Sequence, residues 1–149
     1  MLETLTTDSK MRPYDYVSKI QEYCCLKLFK EKKLDGMYEY WERIRIEENC
    51  DMTHSVDDGC YEFKFKECPS RKKIHDSDAS AYCSYCDHCP GWILPIMTKC
   101  GCFAVYNLID RNLPQCEMFV YLDKARARAK QKELIEKYSG DVICSNLKD

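Results

Sequence analysis

Apolar residues recur at three- and four-residue steps near the start of the chain, alternate with polar ones in its middle, and return to helical spacing near its end. Val17, Ile20, Cys24 and Leu28 form the first stripe, and Cys25 and Phe29 widen it. This spacing predicts a helix from about residue 14 to residue 33, opened by Pro13. Cys24 and Cys25 then read as small core residues, because a buried thiol packs as a modest hydrophobe. Asp35 is placed to cap a second helix over about 36–48. There Met37, Trp41 and Ile44 make one apolar line, and Glu39, Glu42 and Arg43 face water. Residues 1–13 read as a loose lead-in, and 14–149 as a single domain.

The polar run 49–59 reads as a loop, and its aspartates lack both the regular alternation and the terminal glutamate of a calcium-binding loop. Tyr61 to Lys66 alternates cleanly, with Tyr61, Phe63 and Phe65 on one face, and predicts a half-buried antiparallel strand that delivers Cys68 at its end. Gln115 to Asp123 repeats the pattern. Cys116, Met118, Val120 and Leu122 face one way there, and Glu117, Phe119 and Tyr121 the other. Ile93 to Met97 and Phe103 to Ile109 are apolar but too short for periodicity to separate helix from strand. Lys124 to Tyr138 predicts a helix with Ala127, Gln131, Leu134, Ile135 and Tyr138 along one side and Gly140 as its stop. Helices first, then strands, then a final helix give an α+β fold: N-terminal helices, a small antiparallel sheet with a cysteine-rich metal-binding connection, and a C-terminal helix.

At 149 residues the chain can bury one real core. Its formal charge of −2 supplies no global field to recruit nucleic acid or an anionic membrane. The basic residues Lys124, Arg126, Arg128, Lys130 and Lys132 are spaced by two, which winds them around the last helix and argues against a nucleic-acid stripe. No stretch approaches the roughly 18 apolar residues of a membrane span. Twelve cysteines are compatible with a disulfide framework in a secreted protein. The first ten residues carry Glu3, Asp8 and Lys10 and no apolar core of a signal segment, so the expected setting is a reducing cytoplasm.

Within that setting the cysteines carry the chemistry. Cys83, Cys86 and Cys89 stand at C-x-x-C-x-x-C spacing, with Cys100 and Cys102 close behind. Zinc takes four donors at tetrahedral corners, commonly a C-x-x-C pair and a second pair from elsewhere. Cys83 with Cys86 supplies the first pair. Cys89 with Cys100, Cys100 with Cys102, and Cys68 with Cys116 from the two strand ends are the options for the second. The same three cysteines also open a ferredoxin-type run, so an iron–sulfur cluster is the alternative cofactor, with its fourth thiolate from Cys68, Cys100, Cys102 or Cys116. His88, next to Asp87, is a further donor or a proton carrier, against the plainer reading of a solvent-facing loop histidine; His54 and His75 invite neither role. No Ser-His-Asp or H-E-x-x-H arrangement is present. Two classes stay open. One is a closed structural metal module, accessory to a small-molecule ligand or a protein partner. The other is an open site with a metal-bound water, a cluster or a nucleophilic thiolate. The surplus of cysteines and the lack of a partnered base favour the first.

One resemblance spans about residues 61–121. An alternating strand ends in Cys68, a C-x-x-C segment follows at Cys83 and Cys86, Gly101 lies downstream, and a last strand opens with Pro114-Gln115-Cys116 and alternating aromatics. This is similar to the cysteine-containing core of the aminothiazoline-carboxylate hydrolase-like family. The resemblance implies a small bacterial or archaeal α+β protein, helices preceding its sheet, that binds a small ligand near these cysteines and hydrolyses a carbon–nitrogen bond in a heterocycle. Cys68, Cys86 and Cys116 carry over. Cys89, Cys100 and Cys102 are additional here, and Cys89 stands where the family pattern has an aspartate.

Overall fold

The computed structural model describes residues 19–70, 72 and 85–148, with Tyr85 described by its backbone alone. Pro13, Val17, His75 and Cys83 therefore lie outside the described residues. The chain is helical from residue 19, passes through a π-helical turn at Glu22–Leu26 and continues as α1, Lys27–Glu47. A π-turn takes an extra residue per turn and rotates the buried stripe by one position. Ile20 is consequently 48% exposed and Cys24 is exposed, while Cys25 and Phe29 are buried. The reading of Cys24 as a core residue is thus corrected, and that of Cys25 stands. Lys33 breaks α1 with φ 52° and ψ −126°. The two expected helices are the two segments on either side of it, and the break falls at Lys33, leaving Asp35 inside the second segment. Met37 and Trp41 on that segment are buried, and Ile44 packs at the edge of the core, as the spacing predicts.

Five strands form one antiparallel sheet in the order β1-β2-β4-β3-β5: β1 Asp51–Asp57, β2 Cys60–Glu67, β3 Phe103–Asn107, β4 Cys116–Tyr121 and β5 Ile143–Ser145. The expected loop at 49–59 is instead β1 and a hairpin turn. Asp58 (φ 48°) and Gly59 (φ 70°) both take left-handed backbone, which is what a two-residue turn joining right-twisted strands requires, and Asp57 pairs with Cys60 across it. β1 is polar because it is an edge strand whose only buried residue is Met52. The two ambiguous apolar stretches separate into a helix, α2 (His88–Lys99), and strand β3. The last helix, α3 (Lys124–Lys137), starts on Asp123, whose carboxylate accepts from the Ala125 amide at 2.9 Å. Gly140 does not stop it; it opens a 3-10 turn, Gly140–Val142, that leads into β5.

Helices α1 and α2 cover one face of the sheet and α3 covers the other. On the first face Trp41 stacks near Phe29, Tyr61 and Trp92 at centroid distances of 5.6, 5.7 and 6.4 Å. Full burial of a large apolar side chain contributes roughly 1.5–3 kcal/mol, so this aromatic seam is a main source of the fold's stability. On the second face Val105, Phe119 and Tyr121 meet Ala127 and Leu134. Strand β4 alternates as predicted, and both of its faces are buried because both are covered. Leu122 and Ile135, read as inward-facing, are 52% and 46% exposed. No helix among the described residues is long and apolar enough to cross a membrane.

Candidate functional site

Three separated segments bring cysteines to one end of the sheet. Cys68 follows the last residue of β2, and its amide donates to the Pro114 carbonyl at 2.6 Å, tying that strand end to the connection between β3 and β4. Cys116 is the first residue of β4 and pairs with Phe65 of β2. Cys86 sits in the 3-10 turn Tyr85–Asp87, and Cys89 lies in the first turn of α2. The turn is fastened by Arg111, which donates to the Asp87 carboxylate at 2.8 Å and to the Asp141 carbonyl at 2.9 Å.

Between these segments lies a cavity of about 90 Å³ lined by Cys68, Cys86, Cys89 and Cys116 together with Ser70, His88, Tyr106, Leu108, Leu113, Pro114 and Gln115. The fully buried Tyr106 of β3 has its hydroxyl 3.2 Å from the Cys116 sulfur. Burial first, then the neighbouring Cys68 and Cys86, push the Cys89 thiol up to about 12. Burial also lifts Cys116 well above the usual thiol range, against the lowering effect of the Tyr106 hydrogen bond, and Cys89, Cys68 and Cys86 raise it further. Tyr106 is raised by burial and then by Cys116 and Cys89. Neighbouring thiols thus make Cys89 and Cys116 harder to ionise, the behaviour of like charges gathered in a poorly solvated space.

The four cavity cysteines include Cys68 and Cys116, the pair expected from the two strand ends, and the Cys86–Cys89 half of the C-x-x-C-x-x-C run. Cys83, the other half, lies outside the described residues. Cys100 and Cys102 are not at this cavity. They follow the C-terminal end of α2, and a 12-residue helix rising 1.5 Å per residue sets its ends about 16 Å apart. Cys50, not singled out in the sequence, does approach: it lines an adjoining pocket with Cys68, Cys89 and Cys116, and Cys68 is among the groups that raise it, after burial and Glu48. The signal that would have found it is the Asp58-Gly59 turn, since pairing outward from that turn sets Cys50 beside the end of β2.

A soft divalent ion fits this donor set: sulfur ligands predominate, an imidazole is at hand, and no carboxylate lines the cavity. Among the described residues no group of three or more His, Cys, Asp and Glu is already drawn together tightly enough to hold an ion. All described cysteines are free thiols. No protein-family model matches the chain, and neither curated proteins nor solved structures gave a match.

Proposed function

We propose that the chain is a cysteine-ligated metal module in which Cys68, Cys86, Cys89 and Cys116 hold one zinc ion in a closed, structural site. The observation that carries this reading is the convergence of four thiols from three segments on one cavity. A tetrahedral site takes sulfurs about 2.3 Å from the metal, so binding the ion would draw the four thiols that line the cavity closer together than they stand in its absence. A bound divalent cation would offset the disfavour that burial and the neighbouring thiols impose on ionising Cys89 and Cys116. When bound, the ion cross-links β2, β4 and the start of α2, which is structural work.

Zinc is preferred to an iron–sulfur cluster because the four sulfurs come from a strand end, a strand start and a helix start, where a ferredoxin-type cluster is wrapped chiefly by one loop. The hydrolase reading implied by the family resemblance draws less support. It asks for an ionised thiol or an activated water, whereas burial raises Cys89 and Cys116 and so disfavours their ionisation when no metal is bound. With four thiolates and no open position, the module serves as an accessory domain, and its small-molecule ligand or protein partner binds elsewhere. A reducing compartment such as the cytoplasm keeps the thiols available as ligands.

Elemental analysis and an ultraviolet–visible spectrum of anaerobically purified protein test this. About one zinc per chain with no visible absorbance is expected, falling to none in Cys89→Ser. Iron with sulfide and a broad visible band replaces zinc with a cluster, and a protein free of both metals overturns the reading.

A further inference from the structure

A second group of thiols closes the other end of α2. That helix ends in a Schellman cap: the Gly101 amide donates to the Thr98 carbonyl at 3.2 Å and the Cys102 amide to the Met97 carbonyl at 2.9 Å, with Gly101 at φ 76°. The cap fixes Cys100 and Cys102 on either side of a left-handed glycine. A disulfide needs α-carbons about 4.4–6.8 Å apart, and the left-handed turn at Gly101 folds the chain back between two cysteines only two residues apart. Both cysteines are buried, at 2% and 1% exposure; the Cys102 thiol donates to the Cys100 carbonyl at 3.9 Å and the Cys100 thiol to the Met97 carbonyl at 3.3 Å. Gly101 between them is exposed.

An ammonium reaches this turn from the kink in α1. Lys33, held at φ 52°, donates from Nζ to the Cys100 carbonyl at 2.5 Å. A non-glycine residue rarely adopts positive φ, and here the kink aims the Lys33 side chain across the helix pair. The cation beside Cys100 favours a thiolate and opposes a metal cation, so this group suits different chemistry from the cavity thiols. The neighbouring Cys102, and after it Lys33, lower the Cys100 thiol against the raising effect of burial, while Cys102 is driven upward by Cys100 and by burial. The two members are thereby unequal, as an attacking and a resolving thiol must be.

We propose that Cys100 and Cys102 form a two-thiol redox site that reduces a small hydroperoxide, with Cys100 attacking and Cys102 resolving. The Cys100 sulfur attacks one peroxide oxygen and the O–O bond breaks. The sulfur is oxidised by two electrons to a sulfenic acid, and the other oxygen leaves as an alcohol, or as water from hydrogen peroxide. Cys102 then attacks the Cys100 sulfur, forming the S–S bond and releasing water with the thiol's proton. In sum, two thiols and one hydroperoxide give one disulfide, one alcohol and one water. A dithiol returns the pair to the reduced state by exchange. Burial of both sulfurs selects small molecules as partners, a peroxide as the oxidant and a low-molecular-weight dithiol as the reductant.

The test uses the full chain, reduced and then treated with one equivalent of hydrogen peroxide, alkylated and cleaved after lysine and arginine. The peptide from Cys100 to Arg111 contains no other cysteine. It is expected to lose two hydrogens and to resist alkylation before the cavity cysteines do. In Cys102→Ser, a dimedone adduct at Cys100 is expected in place of the disulfide. Lys33→Met is expected to slow oxidation of the wild-type pair about tenfold, and Lys33→Arg to restore it. Cys100 and Cys102 that are both alkylated after the cavity cysteines have oxidised, or an oxidation rate indifferent to Lys33→Met, overturn the proposal. Zinc content measured on the same samples reports separately on the metal site.

Discussion

At the N-terminal end of α2, Cys86 and Cys89 meet Cys68 and Cys116, and the neighbours that raise Cys89 and Cys116 are thiols. At its C-terminal end, Cys100 and Cys102 meet the Lys33 ammonium. Both groups are enclosed by the same core, yet they differ in what is missing. The first gathers potential anions and supplies no lysine or arginine among its cavity walls, a deficit that the proposed divalent ion would fill. The second already has a cation, placed at the helix end where the backbone dipole disfavours a thiolate. Density of cysteine alone therefore does not assign a chemistry; the sign of the nearest charge does.

The sharpest way to break this contrast is to remove a cavity thiol. Cys116→Ser is expected to abolish metal binding and to lower stability by about 4 kcal/mol, the scale set by a ligand at a thousandfold its dissociation constant. Wild-type protein stripped by a chelator should show the same loss in denaturant unfolding; an unchanged midpoint contradicts the contrast. Cys100→Ser is the counterpart at the other end. It is expected to leave zinc content intact while costing about 1–3 kcal/mol for burying a hydroxyl in place of a thiol, and lost zinc would merge the two groups into one. Smaller still is Tyr106→Phe, expected to cost about 1 kcal/mol by removing the hydrogen bond to Cys116. Zinc should be retained, and its loss would make the phenol part of the metal's immediate support.

The smallest effect isolates stability that neither group supplies. Hydrogen bonds from Arg45, at 2.8 and 2.5 Å, and then from His54, at 2.6 Å, hold the Glu42 carboxyl down at about 2, against an ordinary value of 4.5. A depressed folded-state value means that this contribution is complete above pH 4.5 and is lost as the pH falls toward 2. The melting temperature of wild type should therefore drop further than that of Glu42→Gln between pH 5 and pH 2. Parallel curves would remove Glu42 from the account.

Alternation made Cys68 and Cys116 legible as a pair, because a strand's period of two fixes both which face and which end a residue occupies. The α+β order of elements was legible for the same reason, from periods of two and 3.6. Cys24 was misplaced because a π-turn inserts a residue and leaves no signature in spacing. Cys50 escaped because β1 is a polar edge strand that lacks an apolar alternation, although Asp58-Gly59 announced the hairpin that positions it. Cys100 and Cys102 read as ligands from spacing alone, because periodicity over 93–97 does not separate helix from strand. Once those residues are helix, distance along its axis separates Cys100 from Cys89.

The central claim concerns which atoms surround the ion, and X-ray absorption at the zinc edge reads them directly. Four sulfur scatterers at about 2.3 Å, reduced in the Cys89→Ser protein, are the result this account predicts. A shell of nitrogen and oxygen near 2.0 Å, or a protein purified under reducing conditions that carries no zinc to measure, would contradict it.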